Sequence, residues 1–482
     1  MQRLSGLDAG FLYMETPTLH MHTLKVAILE PARDSHPGEA SLPIAEVREQ
    51  IGSRMHLLPP LRRRLVEVPL RLHHPVWIED PDFAIEHHVH HVAVARPGGR
   101  AELNATIGEL AGTALDRSRP LWQLYVLDGL ADGRIAVLVK IHHAVADGAA
   151  AADLLANVMS TDPQVGPASE ERPWQPEEQP SARQLLGDAL QDHRRQLRRV
   201  PALVVRTVRN LGAVARHHAD AAVRPPRPML DTPRTSFNAS LTPRRVFATA
   251  ILPLEDVELV RDRHAVSVND VVLAVTGGAL RTYLAARGEL PDQPLVAAVP
   301  LSTSPRGERR LAGNRVANLF TTLATDEDDA VVRLRHIHEV TAEAKLVQQL
   351  LGIDMLQDWV EYTPPGPYAW LVGQYSHRRV ADRVPPPINV VISNVPGPRQ
   401  PLFADGARLA ELYSVGPVLE GVGVNITVWS YLDRLFVGVL GCRESLPDAD
   451  ELARAMEESL TDLVRASVAA PPAMVGRPPD VH

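Results

Sequence analysis

A seven-residue segment of the chain has residue types and spacing suited to acid–base chemistry. Residues 142–148 read His-His-Ala-Val-Ala-Asp-Gly. An imidazole with an ordinary pKa of about 6.5 can take a proton from a hydroxyl group at neutral pH. Such a base would let an alcohol attack the carbonyl of a thioester, whose thiolate leaves with little help from an acid. We therefore predict that His143 is a general base.

The other polar residues of this segment are expected to support it. We expect the Asp147 carboxylate to hold the loop by binding the local backbone or an arginine, and Gly148 to permit a turn that other residues disfavour. His142 is expected to pack or to hydrogen-bond beneath the loop. Two alternatives stay open: a structural histidine pair on a turn, and a zinc site, which lacks a third ligand at zinc-like spacing.

The motif is placed by the elements on either side of it. Residues 23–29 and 135–141 predict strands, because they are rich in branched side chains. Residues 102–111 space their apolar side chains as a helix does, and an alanine-rich helical run, 149–155, follows the motif. The histidines thus lie at the end of a strand, where side chains project into a cleft.

Length, charge and cysteine content limit the class of protein. The 482 residues exceed one ordinary core, so we expect two domains of about 200 residues each. A net charge of −8 argues against a nucleic-acid-binding protein, which usually has a basic excess. The one cysteine, Cys442, rules out an internal disulfide and fits a reducing compartment. Neither a signal peptide nor a run of about 18 apolar residues is visible, so a cytoplasmic protein is expected.

The chain divides into two α/β blocks and a linker. Residues 1–160 form the first block and residues 236–469 the second. Between them, residues 161–235 are a linker, in which a Pro-, Glu- and Gln-rich stretch precedes a basic helical segment whose apolar stripe is interrupted at Pro201. The Pro-rich tail, 470–482, is expected to be disordered. The clearest elements of the second block are predicted as strands at 296–299, 388–393, 423–429 and 435–439, and as helices at 254–263, 268–287 and 449–469.

Further segments carry a resemblance to a known family. In the family's order along the chain, from about Leu4 to Leu463, they are Asp8-Ala9-Gly10-Phe11-Leu12, Met21-His22, Pro120-Leu121-Trp122, Asn269-Asp270, Val299-Pro300-Leu301-Ser302, Gly313-Asn314 and Ser393-Asn394-Val395-Pro396-Gly397-Pro398. With the HHxxxDG pattern at 142–148, the chain resembles the bacterial wax ester synthase/acyl-CoA:diacylglycerol acyltransferase (WS/DGAT) family. This family lies within the chloramphenicol-acetyltransferase-like superfamily.

The resemblance implies a fold and an activity. The fold would be α/β with mixed sheets: two chloramphenicol-acetyltransferase-like domains joined by a linker, with the active-site channel between them. The activity would be an O-acyltransferase that moves a fatty acyl group from acyl-CoA to a lipid alcohol, giving triacylglycerol from diacylglycerol or wax ester from a fatty alcohol. Acyl-CoA would be a co-substrate, with no permanently bound cofactor and no metal. The inner membrane and lipid droplets are candidate peripheral locations.

By the same resemblance, His143 is the base, Asp147 is structural, and Asn269 and Asp270 support the architecture of the site. Three weaker signals have local alternatives. Pro120, Leu121 and Trp122 either line the channel or pack before a core strand. Asn269 and Asp270 either contact the site or begin a helix, which favours these residue types. The Asn394 amide either donates to the oxyanion of a tetrahedral intermediate or belongs to a simple turn.

Other clusters have more than one interpretation as well. His87, His88, His90 and His91 suggest a metal site, but their spacing favours surface or packing histidines. The arginine-rich helical segment is a solvated linker, a helix for an anionic lipid surface or a holder of CoA phosphates. Residues 346–375, with Trp359, Tyr362 and Trp370, either border an acyl pocket or belong to the core.

Two other functions compete with acyl transfer from free acyl-CoA. One is acyl transfer from a carrier-bound thioester or to a polyketide lipid acceptor, although the chain has no carrier domain. The other is a non-catalytic lipid-binding protein, against which the intact HHxxxDG pattern argues. The acceptor alcohol, the acyl chain length and the oligomeric state are left open.

Overall fold

The fold is taken from a computed structural model, which describes residues 1–31, 43–163, 176–303, 310–352, 355–404 and 406–469. The predicted disordered tail, 470–482, lies outside the described residues. The strands are β1 Gln2–Arg3, β2 His22–Glu30, β3 Arg63–Val66, β4 Val76–Glu79, β5 Val89–Ala93, β6 Trp122–Asp128, β7 Ile135–His142, β8 Arg245–Pro253, β9 Val296–Ser302, β10 Val316–Thr322, β11 Val390–Val395, β12 Phe403–Ala404, β13 Ala407–Val415, β14 Val424–Tyr431 and β15 Arg434–Cys442. The helices are α1 Gly6–Tyr13, α2 Ile44–Arg54, α3 Arg100–Ala111, α4 Gly148–Val158, α5 Ala182–Asp220, α6 Leu254–His264, α7 Val268–Ala285, α8 Ala330–Leu351, α9 Met355–Val360, α10 Pro365–His377 and α11 Ala449–Ala469.

Two six-stranded mixed sheets organise the molecule. The N-terminal sheet has the strand order β12-β13-β2-β7-β6-β5, and the C-terminal sheet has the order β10-β9-β11-β14-β15-β8. Most neighbours are antiparallel, whereas β5 pairs with β6, and β11 with β9 and β14, in parallel. A small third sheet, β1-β4-β3, lies beside the N-terminal one. The expected α/β fold with mixed sheets is confirmed.

Long apolar runs form the core of each half. The middle of α7 is buried on every side, which explains its continuous apolar sequence, and it packs among α6, α8 and α11 against the C-terminal sheet. A second core, which includes Leu24, Ile107, Leu138, Trp429 and Phe436, joins side chains of the two halves. The two sheets are therefore held in one packed body.

The second block of the sequence contributes two strands to the N-terminal sheet. β12 and β13 come from the segment assigned to the second block, yet β13 pairs antiparallel with β2 and extends the N-terminal sheet. β2 then pairs with β7 so that His22 faces His142 across the ladder. A boundary at residue 236 therefore does not separate the two sheets, because strand pairing joins residues nearly 400 positions apart.

The basic segment of the linker is one helix of 39 residues, α5. The sequence predicted that the apolar stripe of this segment is interrupted at Pro201, and the helix itself continues through this residue. Proline lacks an N–H and leaves one carbonyl without its helical partner. Pro201 is exposed, so water can reach that carbonyl. Across the described part of the chain, no helix is long and apolar enough to cross a membrane.

Candidate active site

The histidine pair lies where β7 ends between two neighbouring segments. The His142 N–H donates to the Leu121 carbonyl at 2.9 Å, and the His143 N–H donates to the Met21 carbonyl at 2.7 Å. The His142 carbonyl accepts from Val145 N–H at 2.9 Å and closes the turn. These backbone bonds place His143 just beyond the strand, as the sequence predicts.

The His143 ring is half-buried and has two close neighbours. Its face stacks on Phe11 of α1, with the ring centroids 4.2 Å apart. Its Nδ1 atom lies 2.9 Å from Asn314 Oδ1, although the two residues are 171 positions apart in sequence. The ring is thus held by residues from two segments that are far apart in the sequence.

The contacts of Asn314 determine which nitrogen of His143 carries the proton. The Asn314 Nδ2 group donates to Asp8 Oδ1 at 2.6 Å and to the His143 carbonyl at 2.7 Å. Since both acceptors are oxygens, this orientation of the amide leaves Oδ1 to accept from His143 Nδ1–H. The lone pair then lies on Nε2, which is the form that a general base requires.

Burial shifts the pKa of both ionisable groups in this chain of contacts. The pKa of His143 falls to about 4, because burial disfavours the imidazolium more than the Asp147 charge and the Asn314 hydrogen bond favour it. The pKa of Asp8 rises to about 6, because burial outweighs its hydrogen bonds with Asn314 and Ser5. The His143 imidazole is therefore neutral throughout the physiological pH range.

Asp147 holds the loop and does not contact the His143 ring. Its Oδ1 accepts from the Ala150 N–H at 2.9 Å in the first turn of α4. Its Oδ2 accepts from the Arg310 guanidinium at 2.7 Å and from the Arg315 N–H at 2.9 Å. The side chain is 2% exposed, so this is a buried ion pair. The arginine partner expected from the sequence is Arg310.

Gly148 differs from its prediction. It has no positive φ and begins α4 directly, because Asp147 already caps the helix. A Cβ at this position would lie 3.5 Å from Val395 Cγ2, which is ordinary van der Waals contact. The expectation of an unusual backbone conformation was therefore wrong, and the residue instead marks where β11 meets the loop.

His142 is buried beneath the loop. Its Nδ1 accepts from the Ala144 N–H at 3.0 Å, and its Nε2 lies 3.3 Å from Glu15 Oε1. Burial raises the pKa of Glu15, but the hydrogen bond with His142 and the charges of His142, Arg117 and His20 together outweigh it, so the pKa is lowered overall. A third ring, His22, stands edge-on to His142 with the centroids 5.9 Å apart.

Residues 120–122 support this geometry from the neighbouring strand. Leu121 provides the carbonyl that receives the His142 N–H. Trp122 is 2% exposed, donates from Nε1 to the Leu61 carbonyl at 2.6 Å and stacks on His88 at 4.6 Å between centroids. Leu121 and Trp122 are therefore packed in the core.

Asn269 and Asp270 lie in the first turn of α7. Ser267 and Asp270 form a reciprocal cap: the Asp270 N–H donates to Ser267 Oγ at 3.2 Å, and the Ser267 N–H donates to Asp270 Oδ2 at 2.9 Å. Asp270 also contacts His338 Nδ1 at 2.9 Å. The helix-start interpretation accounts for Asp270 by these local contacts.

Asn394 lies on β11 one residue before Val395, which adjoins Gly148. Within the described ranges its amide makes no side-chain hydrogen bond. Asn394 is half-buried, so an amide without a protein partner stands one residue from a contact of the histidine loop.

The other histidines and aromatic residues do not join the site. His88 bonds to Trp122, whereas His91 Nε2 lies 2.7 Å from Asp128. Among the described residues, no group of three or more histidine, cysteine or acidic side chains could hold a metal ion. Trp359 and Trp370, expected at an acyl pocket or in the core, are 37% and 65% exposed.

Two cavities adjoin the elements that carry the site. One, of about 470 Å³, has Asp8, Val145 and Gly313 in its wall together with Arg199 of α5. The other, of about 210 Å³, lies on the face of the N-terminal sheet that also carries Ile141. Its lining is mostly aliphatic and includes Leu29, Val47, Leu124, Val137, Val139 and Val158.

Sequence reasoning did not assign the residues that hold His143. Asp8, Phe11 and Asn314 stood within segments noted only for the family resemblance, and Arg310 was not singled out. The one available signal was that these segments share the family's order with the HHxxxDG pattern. A contact across 171 positions leaves no local periodicity to detect.

Comparison with family models covers most of the chain. The model of the wax ester synthase/diacylglycerol acyltransferase catalytic domain matches residues 4–272. The model of the WS/DGAT C-terminal domain matches residues 312–464.

Individual relatives agree with these models. Two proteins of Mycobacterium tuberculosis (strain ATCC 25618 / H37Rv), each named as a candidate diacylglycerol O-acyltransferase, are 42% and 37% identical over 468 and 471 residues, covering 97% of this chain in both cases and 97% and 98% of theirs. The solved wax ester synthase/diacylglycerol acyltransferase from Marinobacter aquaeolei VT8 is 27% identical with a TM-score of 0.67, covering 97% of this chain and 100% of that one. The first condensation domain of the CDA synthetase, 15% identical with a TM-score of 0.56 over 98% and 96% of the chains, shares the fold. The chain therefore belongs to the wax ester synthase/diacylglycerol acyltransferase family of acyltransferase enzymes.

Proposed function

We propose that the protein transfers a fatty acyl group from acyl-CoA to a lipid alcohol, with His143 as the general base. The alcohol would be diacylglycerol, a fatty alcohol or both. The observation that carries this proposal is the Asn314 Oδ1 contact with His143 Nδ1, since it leaves the Nε2 lone pair free. A half-buried neutral imidazole with a free Nε2 suits removal of a hydroxyl proton.

In the proposed reaction, the alcohol donates its proton to His143 Nε2 as its oxygen forms a bond to the thioester carbonyl. The carbon–sulfur bond of the tetrahedral intermediate then breaks, and the CoA thiolate takes the proton from the imidazolium. Asn394 is proposed as the donor to the oxyanion, because its half-buried amide has no protein partner in the described ranges. Asp147 keeps the loop in place and takes no proton.

The aliphatic cavity supports a substrate with a hydrocarbon chain. It lies between the N-terminal sheet and α2, and Val158 at the end of α4 lines it. α4 begins at the histidine loop, so the same helix connects the cavity wall to the base. The names of the Mycobacterium tuberculosis relatives support diacylglycerol as an acceptor, and that of the Marinobacter structure adds wax ester synthesis.

Product analysis tests the proposal. Purified protein is incubated with palmitoyl-CoA and either diacylglycerol or hexadecanol; esters are identified by mass spectrometry and thiol release is followed in parallel. We expect ester and free CoA in equal amounts from the wild type, and neither above background from His143→Ala. Wild-type ester formation by that folded variant would refute the role of His143. A wild type that forms no ester with either acceptor would refute the proposed substrates.

A further inference from the structure

Helix α5 carries an exposed apolar stripe. Its six members are between 36% and 68% exposed, and we call them the α5 stripe: Leu186, Leu190, Leu197, Val204, Val208 and Leu211. Their spacings of 4, 7, 7, 4 and 3 residues keep them on one side of a helix with about 3.6 residues per turn. Six large aliphatic side chains thus lie in a row along one face.

A different face of α5 attaches the helix to the protein. Leu185, Ala189 and Leu203 are its buried side chains. Gln196 and Asn210 donate to the Glu361 and Leu351 carbonyls at 3.2 and 2.8 Å. Since these contacts hold α5 in place without the stripe, the exposure of the stripe needs another explanation.

The charge of α5 is opposite to that of the whole protein. Residues 182–220 contain three aspartates and eight arginines, whereas the chain has a net charge of −8. Most of these arginines are exposed, including Arg194, Arg198 and Arg209. An apolar stripe flanked by arginines is complementary to a surface that is apolar within and anionic at its boundary.

A loop between β3 and β4 adds to the same surface. Leu70 is 88% exposed and Leu72 is 50% exposed, and Leu70 and Arg71 both have positive φ values, 58° and 52°. The loop is attached to α5 because the His73 and His193 rings lie edge to face, 4.6 Å apart between centroids. His193 stands between Leu190 and Leu197 of the stripe, so the exposed leucines of the loop continue it.

We infer that the α5 stripe and Leu70 form a docking surface for an anionic lipid bilayer. The aliphatic side chains enter between the lipid chains while the arginines meet the headgroup phosphates. The cavity of about 470 Å³ is lined by Arg195, Gln196 and Arg199 of the same helix and by Asp8 of the active site. Docking would hold α5, and with it the active site, near the surface in which lipid alcohols reside. That benefit rests on the proposed function, whereas docking itself does not.

Vesicle co-sedimentation tests the inference with a matched pair of double variants. Leu197→Glu/Val208→Glu alters the stripe; Leu259→Glu/Val468→Glu makes the same kind of change at exposed positions on α6 and α11, which cover the C-terminal sheet. Vesicles of phosphatidylglycerol and phosphatidylcholine in equal parts are compared with phosphatidylcholine alone. We expect the stripe variant to partition about tenfold more weakly into anionic vesicles, and the control variant to match the wild type. Binding should weaken in about 0.5 M salt, because charge attraction is screened.

Three results would overturn the inference: a wild type that does not sediment with anionic vesicles, a stripe variant that binds as well as the control, or a control that loses binding equally. Light scattering distinguishes lipid docking from self-association. If the wild type is a dimer that does not bind vesicles, and the stripe variant is a monomer, the stripe contacts a second copy of the chain instead. Thiol release with a water-soluble alcohol should be the same in both variants. If neither the wild type nor the two variants transfer an acyl group, the proposed function fails while the vesicle result stands.

Discussion

The first turns of helices α4 and α7 have similar local caps, but different segments of the chain contact them. At each start a buried aspartate caps the first turn: Asp147 accepts from the Ala150 N–H, and Asp270 exchanges hydrogen bonds with Ser267. Their side chains are both 2% exposed. The two aspartates meet different partners, because Asp147 binds Arg310 from the other half of the chain and Asp270 contacts His338 from its own half.

This difference separates a capped helix from a candidate active site. The segment that brings Arg310 to Asp147 also brings Asn314 to His143, and its Gly313 exchanges backbone hydrogen bonds with the histidine loop. Among the described contacts, no segment from the other half of the chain reaches the start of α7 in this way. A local cap forms from sequence alone, whereas an oriented base needs a second segment to hold it.

The largest effect is expected from removing the His143 ring, which lies beside the start of α4. His143→Ala should lower kcat/KM by about 100- to 10,000-fold, the usual contribution of a general base. His338→Ala, beside the other aspartate and 43% exposed, should change kcat/KM by less than about twofold. Steady-state kinetics with palmitoyl-CoA measures both. Equal losses would mean that the two helix starts do not differ in function.

The second effect concerns the buried ion pair. Asp147→Asn leaves the Arg310 charge without its partner, so the free energy of unfolding should fall by about 3 kcal/mol. Asp270→Asn should cost about 1 kcal/mol, because His338 is open to solvent. Denaturant titration gives both values. Asp147→Asn/Arg310→Met should recover part of the loss; a double variant as unstable as the sum of its single changes would argue against a coupled pair.

The third effect tests whether Asn314 positions the base. Asn314→Ala removes the acceptor for His143 Nδ1–H, so kcat should fall by about 10- to 100-fold with little change in KM. Asp8→Asn should give a smaller loss, since the Asp8 carboxylate reaches His143 only through the Asn314 amide and otherwise accepts from Ser5 Oγ. A positioning role also predicts an altered pH profile in Asn314→Ala. A lower melting temperature with unchanged kcat and pH profile would leave Asn314 a purely structural residue.

The fourth effect is on pH dependence. Because burial lowers the pKa of His143 to about 4, the acidic limb of kcat/KM should fall near pH 4, well below the pH at which a free imidazole is protonated. Between pH 4 and about 6.5 the unfolded state binds more protons at this histidine, so its contribution to stability is lost as pH falls. Asp8, with a pKa near 6, has the opposite sign, since its contribution is lost as pH rises through 6. An acidic limb near pH 6.5 would contradict the lowered pKa of His143.

The smallest effect should come from the local cap. Ser267→Ala removes one side of the reciprocal cap of α7 and should lower the free energy of unfolding by about 1 kcal/mol. Acyl transfer should remain within about twofold of the wild type, because this helix start touches no part of the His143 network. Loss of activity with unchanged stability would instead place Asn269 and Asp270 in contact with substrate.

Several features of the fold could be predicted because they depend on neighbouring residues. The strand predicted at 135–141 is β7, and those at 23–29 and 435–439 lie within β2 and β15. The helix predicted at 254–263 is α6 to within one residue. Side-chain periodicity along a short segment carries this information. It also placed His143 correctly at the end of a strand.

Other features depend on contacts that no local pattern contains. β13 leaves its own block to pair with β2, Pro201 lies inside an unbroken helix, and Gly148 has an ordinary helical backbone. The α5 stripe looked like one face of a basic linker helix until the fold showed that other side chains attach α5 to the protein.

The sequence by itself determined the HHxxxDG pattern, the strand that ends in it and the family, since each depends on residues that are close together or that follow a set order. Only the tertiary structure decided which nitrogen of His143 is free, because Asn314, which orients the ring, lies 171 residues away. Local propensity acts over one or two turns of chain, whereas that hydrogen bond exists only where packing of the two halves brings the atoms within 2.9 Å.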